Sequence, residues 1–265
     1  MNAPGTLRRS LAVFCFVALT CALRAQTQTP TKPYQPEVGQ PGKDVVWVPS
    51  PQALVDKMLD MAKVTPQDFV MDLGSGDGRT VITAAKRGAT AVGVEYNPDM
   101  VALSRANAAK EGVSGKATFV QADLFQTDLS KATVITMFLL PSINMKLRPT
   151  LLNLKPGTRI VSNTFDMEDW SPDESAMVGP NGCTSWCNAM LWIVPAKVQG
   201  RWKTPQGDLN ITQTFQILSG TLGSAPITGR MLGDQIKFTA GATEYTGRVS
   251  GNTIQGGNLS ASRVN

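Results

Sequence analysis

Asp72-Leu73-Gly74-Ser75-Gly76-Asp77-Gly78 sets two carboxylates around three glycines, between the apolar run Phe69-Val70-Met71 and a helix-forming stretch from Thr80 to Arg87. A strand, a glycine turn and a helix start in that order bring a backbone close to a small ligand. Glu95 ends the next apolar run, Ala91-Val92-Gly93-Val94, where a carboxylate can accept both hydroxyls of a ribose. Such a ring of acids repels a pyrophosphate and attracts a nucleoside that carries a cationic sulfonium and an ammonium. S-adenosyl-L-methionine is therefore expected in preference to a dinucleotide. Gly78 follows Gly76 by two residues, shorter than the spacing of the dinucleotide fingerprint. Asp123, in Gln121-Ala122-Asp123-Leu124-Phe125, adds a fourth acid suited to an adenine amino group, with Leu124 and Phe125 to cover the ring. The expected cofactor-binding set is Asp72, Gly74, Ser75, Gly76, Asp77, Glu95, Asp123 and Leu124. The competing account of Asp77 and Asp123 is helix capping.

The chain contains no histidine, which excludes Ser-His-Asp hydrolysis and His-based zinc sites. No metal site is expected, and no side chain stands out as a catalytic base. Lysine and arginine are not gathered into a stripe with interleaved aromatics, so nucleic acid is not the expected partner.

Short apolar runs alternate with helical segments from Asp44 onward. Leu54, Met58 and Met61 with Val55 and Ala62 show helical spacing, with Ser50-Pro51 as the expected cap and first turn. Strands are expected at 69–73, 91–95, 117–121, 133–139 and 159–165, with helices from Arg79, over 98–111 and over 143–154, and a late strand at 188–194. This alternation predicts a parallel sheet covered on both faces, with ligands beyond the carboxyl ends of its strands. From Lys197 period-two segments and turn signals predict a small antiparallel barrel or sandwich of about six strands, Leu209-Ile211, Phe215-Ile217, Ile236-Phe238 and Tyr245-Val249 among them. That part carries no cluster of catalytic residue types and is expected to serve packing or recognition.

Arg8-Arg9, an apolar core from Leu11 to Leu23 and the small Ala25 have the form of an export signal at 1–25, cleaved or retained as a membrane anchor. Gln26 to Lys43, rich in Pro, Gln and Thr, is expected to be a linker; 44–195 would form the α/β domain and 196–265 the all-β domain. The net charge of +5 falls by about half if the signal and its three arginines are removed. Export leaves Cys183 and Cys187 as the remaining cysteines, either a small disulfide loop or two unrelated thiols.

Asp72 to Gly78 with Glu95 and Asp123 resembles the class I S-adenosylmethionine-dependent methyltransferases. More narrowly, five blocks in order resemble the ATP synthase c-subunit lysine N-methyltransferase family and its bacterial relatives. They are Val46-Trp47-Val48-Pro49-Ser50-Pro51, Asp72 to Arg79, Ala122 to Phe125, Leu139-Leu140-Pro141 with Asn144 and Leu147-Arg148-Pro149, and Leu154 to Arg159. Trp47 stands where that family is expected to have tyrosine. The resemblance implies a Rossmann-like seven-stranded methyltransferase sheet, S-adenosylmethionine as donor and a protein lysine as acceptor, which can be membrane-associated. It places the methionine end of the donor at Asp72, Gly74, Gly76 and Asp77, and the acceptor near Thr136, Phe138, Leu140, Pro141 and Asn144, with Trp47 either walling the acceptor channel or stapling the entry to the first helix. Core packing is the alternative for the residues of 133–140.

The leading expectation is thus a methyltransferase acting on a protein lysine, exported to the periplasm or envelope. Export separates an enzyme from its supply of S-adenosylmethionine, which raises a second expectation: a non-catalytic envelope protein that keeps the fold as a ligand-binding or interaction scaffold. A dinucleotide-dependent oxidoreductase is a third, disfavoured by the acidic turn.

Overall fold

The computed structural model describes residues 1–2 and 34–264. The expected export signal beyond residue 2 and the linker up to residue 33 lie outside the described residues.

The first part of the chain runs α1 (Gln52–Met61), β1 (Phe69–Leu73), α2 (Arg79–Lys86), β2 (Thr90–Glu95), α3 (Pro98–Lys110), β3 (Ala117–Gln121), β4 (Val134–Met137), α4 (Pro141–Leu151), β5 (Arg159–Asn163), β6 (Glu174–Met177) and β7 (Asn188–Ile193). Its strands form the expected seven-stranded sheet, in the order β3-β2-β1-β4-β5-β7-β6. β1 to β5 are parallel, and β7 runs antiparallel to both β5 and β6. The order reverses beside β1, whose two neighbours β2 and β4 carry their connections to opposite sides, so a crevice opens at the carboxyl end of β1.

Alternate residues of each central strand face different helix layers, which is why the strands read as unbroken apolar runs. Val70, Ala91, Val134 and Val161 pack under α1, α2 and α3, while Met71, Ile135, Met137 and Ile160 pack under α4 with Met167 and Trp170. β6 departs from the sequence reading, which expects no strand between residues 165 and 188. It is an edge strand with no buried face, so nothing selects an apolar alternation in Glu-Ser-Ala-Met. Ser50 does not cap α1: Pro51 occupies the cap position, and the Ser50 hydroxyl instead accepts from Asn163 Nδ2 at 3.0 Å.

The C-terminal strands β8 (Gly200–Thr204), β9 (Gly207–Thr214), β10 (Ile217–Leu222), β11 (Ala225–Leu232), β12 (Gln235–Ala240), β13 (Thr243–Ser250), β14 (Thr253–Gln255) and β15 (Ala261–Arg263) close into an antiparallel barrel. The barrel has eight strands, not about six, because three-residue strands such as β14 and β15 are too short to show period two. Trp202, Ile211, Leu218, Met231, Ile236 and Phe238 fill its interior, as eight strands permit. Phe215 was expected in a strand but lies in the β9–β10 turn at φ 52°. Its ring leaves the barrel to stack on Trp170 at 5.9 Å, beneath the Arg148 guanidinium at 5.4 Å. Gln216 Nε2 donates to the Ser171 carbonyl at 2.7 Å and Arg230 pairs with the buried Asp173 at 2.5 Å, which fixes the barrel to the far edge of the sheet.

Residues 34–43 are not a free spacer. Gly39 N–H donates to Trp47 O at 2.8 Å and Trp47 N–H to Gln40 O at 2.9 Å, so the segment doubles back on itself and leads into α1 over the carboxyl ends of the strands. Backbone pairing of this kind leaves no periodic signature in the side chains.

Candidate active site

The glycine turn sits at the carboxyl end of β1, tied to β2 by the Gly74 and Ser75 amides, which donate to Val94 O at 2.9 and 3.1 Å. Gly76 (φ 54°) and Gly78 (φ 83°) occupy the left-handed region. A Cβ on Gly76 would stand 2.6 Å from Trp47 Nε1, and one on Gly78 would stand 2.8 Å from the Phe119 ring. Glycine at these positions therefore lets Trp47 and Phe119 pack directly against the turn.

Each acid around the turn has a distinct environment. Asp72 is buried, accepts from Thr136 Oγ1 at 2.6 Å, and is pushed up to about 7 by desolvation, with the nearby Glu95 and Asp77 charges adding to the rise. Glu95 accepts the Gly76 amide at 2.9 Å on one oxygen and the Asn97 amide at 2.9 Å on the other, locking the turn to the start of α3. Asp77 is held by Arg79, with Nη2 at 2.6 Å and Nε at 3.0 Å, and Arg79 Nη1 reaches Ser50 O at 2.7 Å. Asp123 accepts Lys43 Nζ at 2.7 Å and the Phe125 amide at 2.9 Å, and the Lys43 ammonium holds its carboxyl below the usual carboxylate range. Lys43 also lies 4.9 Å over the Tyr96 ring. Two of the four charges seen in the sequence are thus already compensated, and the field that remains comes from Asp72 and Glu95.

One cavity of about 560 Å³ joins these groups to an aromatic region, a size suited to a nucleoside cofactor. Every residue of the expected cofactor set borders it. Ser75 contributes through its backbone: its Oγ is buried without a partner, next to where a Gly93 Cβ would lie. Ser75→Ala is accordingly expected to leave the thermal midpoint unchanged or raised, since an unsatisfied buried hydroxyl costs about 1–3 kcal/mol. Thermal denaturation checks this, and a clear fall would show a hidden partner.

Of the residues expected near the acceptor, Trp47, Phe138 and Leu140 line the cavity. Thr136, Asn144 and Pro141 do not. Thr136 lies behind Asp72 on a strand buried along its whole length, where it orients the carboxyl. Asn144, fully buried on α4, donates to the Phe165 and Asp166 carbonyls at 3.1 and 3.0 Å and so holds a loop rather than a ligand. Pro141 only opens α4. Phe165 and Trp186 complete the wall, and neither was singled out from sequence. Phe165 follows the carboxyl end of β5, where the rule that found Asp72 would also have pointed. Trp186 comes from the loop closed by the Cys183–Cys187 disulfide, whose place in the fold no spacing reveals.

The model of the ANTKMT methyltransferase domain matches residues 72–174. A protein-lysine N-methyltransferase of Saccharolobus islandicus is 49% identical over 133 residues, covering 49% of this chain and 83% of that protein. The chain belongs to this protein-lysine N-methyltransferase family. The human ATP synthase c-subunit lysine N-methyltransferase is 37% identical over 48% of this chain, which spans only 54% of that relative. An RNA methyltransferase of Salinibacter ruber, solved with S-adenosyl-L-homocysteine, is 46% identical with a TM-score of 0.53, over 57% of this chain and 96% of the other. The methyltransferase takes S-adenosylmethionine as its donor, and its cavity fits that group: a buried carboxyl poised to ionise beside a cation, and room for a nucleoside along the glycine turn. These relatives lend no support to a non-catalytic scaffold.

Proposed function

We propose that the protein transfers a methyl group from S-adenosylmethionine to the Nε of a lysine in a protein acceptor. The observation that carries this reading is the continuity of one cavity from the acids of the glycine turn to a wall formed by Trp47, Phe138, Phe165 and Trp186. The relatives named as lysine N-methyltransferases support it.

In this reading Asp72 faces the cationic end of the donor, the Gly74–Gly76 backbone lies along it, Glu95 takes the ribose and Asp123 with Leu124 the adenine. The bound donor supplies an activated methyl on a sulfonium. The protein's part is to align the acceptor for an in-line displacement and to exclude water. Exclusion of water at the point of transfer disfavours the charged ammonium, which lowers the lysine pKa and frees the nitrogen lone pair. The N-terminal segment, with Arg8-Arg9 ahead of an apolar core, supports export to the periplasm or envelope, where a membrane-associated acceptor is accessible; N-terminal sequencing of the native protein tests that placement.

The Salinibacter relative, named an RNA methyltransferase, favours RNA as the second reading. The full-length protein incubated with methyl-labelled S-adenosylmethionine, and with envelope protein or total RNA from its source cells, separates the two. Labelled methyllysine in protein hydrolysates is the expected result. Label confined to RNA sinks the lysine reading, and donor binding without transfer to either would restore the scaffold.

A further inference from the structure

We propose that Trp186 sets acceptor specificity at this site, and that the Cys183–Cys187 disulfide is the device that positions it; this rests on the lysine-acceptor reading above. Trp170, Trp192 and Trp202 are fully buried core residues, whereas Trp186 is 44% exposed. Its ring lies 5.3 Å from Phe165 and 6.0 Å from Phe138, themselves stacked at 5.9 Å, on the border of the cavity that holds the glycine turn. A half-exposed indole tilted by 47° and 56° to a stacked pair of rings makes an aromatic corner of the kind over which an alkylammonium chain binds.

The backbone beneath this wall is strained in two places. Trp186 has φ 58° and Thr164 has φ 61°, both unusual for residues with such side chains. Strain of this kind persists only where surrounding structure enforces it, and it gathers at functional sites. Thr164 turns the chain at the end of β5 so that Phe165 meets the cavity, and Phe165 O is held by Ser162 Oγ at 2.6 Å and Asn144 Nδ2 at 3.1 Å. For Trp186 the constraint is covalent: the disulfide closes a ring of five residues around it, and the loop leans on α1, where a Cβ on Gly182 would meet Ala53 at 2.9 Å. Trp186 needs the tether because its own side chain, half exposed, is not anchored in a core.

Pentyltrimethylammonium, a methylated-lysine side-chain mimic, is titrated into the full-length protein saturated with S-adenosylhomocysteine. Binding to the wild type is expected, weakened about tenfold in Trp186→Ala and in the same direction in Cys183→Ser/Cys187→Ser, and restored in Trp186→Phe. S-adenosylhomocysteine affinity should not change in any variant, which shows that each is folded. Probe affinity in Trp186→Ala within about twofold of wild type, or no probe binding to the wild type, overturns the proposal. A wild type that fails to bind S-adenosylhomocysteine overturns the donor reading first, and this one with it. Loss of probe binding in Trp186→Ala with none in the double cysteine variant would overturn the positioning role of the disulfide alone.

Discussion

Replacing Asp72 with Asn will raise the thermal midpoint of the ligand-free protein at pH 8, with little effect at pH 4, and will abolish donor binding. The Asp72 carboxyl titrates near pH 7 in the fold against 3.8 as a free side chain, chiefly because burial disfavours its charge. A group whose folded pKa is raised contributes stability below its unfolded pKa and loses it as pH climbs through the folded value. The window is therefore pH 4 to 7, and above it the ionised Asp72 costs roughly 4 kcal/mol at 1.36 kcal/mol per unit. An asparagine keeps an oxygen for the Thr136 hydroxyl and carries no charge to desolvate. Roughly 10 °C is expected at pH 8 for a chain of this size. Asp68, Asp123 and Asp208 are shifted downward and act in the opposite sense, losing stability as pH falls, so the comparison with wild type at each pH isolates Asp72. The same charge should make wild-type affinity for S-adenosylmethionine weaken as pH drops below 7. Equal midpoint changes at pH 4 and pH 8 would refute the burial argument.

Glu95→Ala is expected to weaken S-adenosylmethionine binding by about a hundredfold or more, roughly 2.7 kcal/mol. Its carboxylate does two things at once. It fixes the glycine turn through the Gly76 amide and the start of α3 through the Asn97 amide, and it borders the cavity, where the proposed reading gives it the ribose. Alanine removes two charge-assisted bonds and leaves both amides without that partner, so binding and preorganisation fail together. Glu95→Gln keeps one acceptor oxygen and should fall between, near tenfold. Calorimetry reads both, and a Glu95→Ala affinity within about threefold of wild type would show that the donor does not use this carboxylate.

How much of this was legible differs from element to element. β1 and β7 lie almost where their apolar runs predicted, because strands buried on both faces select apolar residues throughout. The residues that border the cavity at the glycine turn were legible for a related reason: a glycine turn and a carboxylate ending the next strand are local features, written at fixed spacing. β6 escaped notice because an edge strand selects no pattern, and the barrel was undercounted where its strands shrink to three residues. Thr136 and Asn144 were expected at the acceptor through the family resemblance, which places the acceptor over the end of the fourth strand. They prove to be the groups that aim Asp72 and hold the Phe165 loop.

By itself the sequence determined the α/β sheet, the all-β appendage, the donor and the acids of the glycine turn, all of which rest on periodicity and short spacing. Tertiary structure alone decided which of those acids keep an uncompensated field, since Arg79 lies two residues from Asp77 but Lys43 lies eighty from Asp123. It also decided the aromatic wall of the cavity, which gathers Trp47, Phe138, Phe165 and Trp186 from four separate segments of the chain. Local propensity carries no information about such meetings. They follow from sheet order, from one disulfide, and from the return of residues 34–50 across the strand ends.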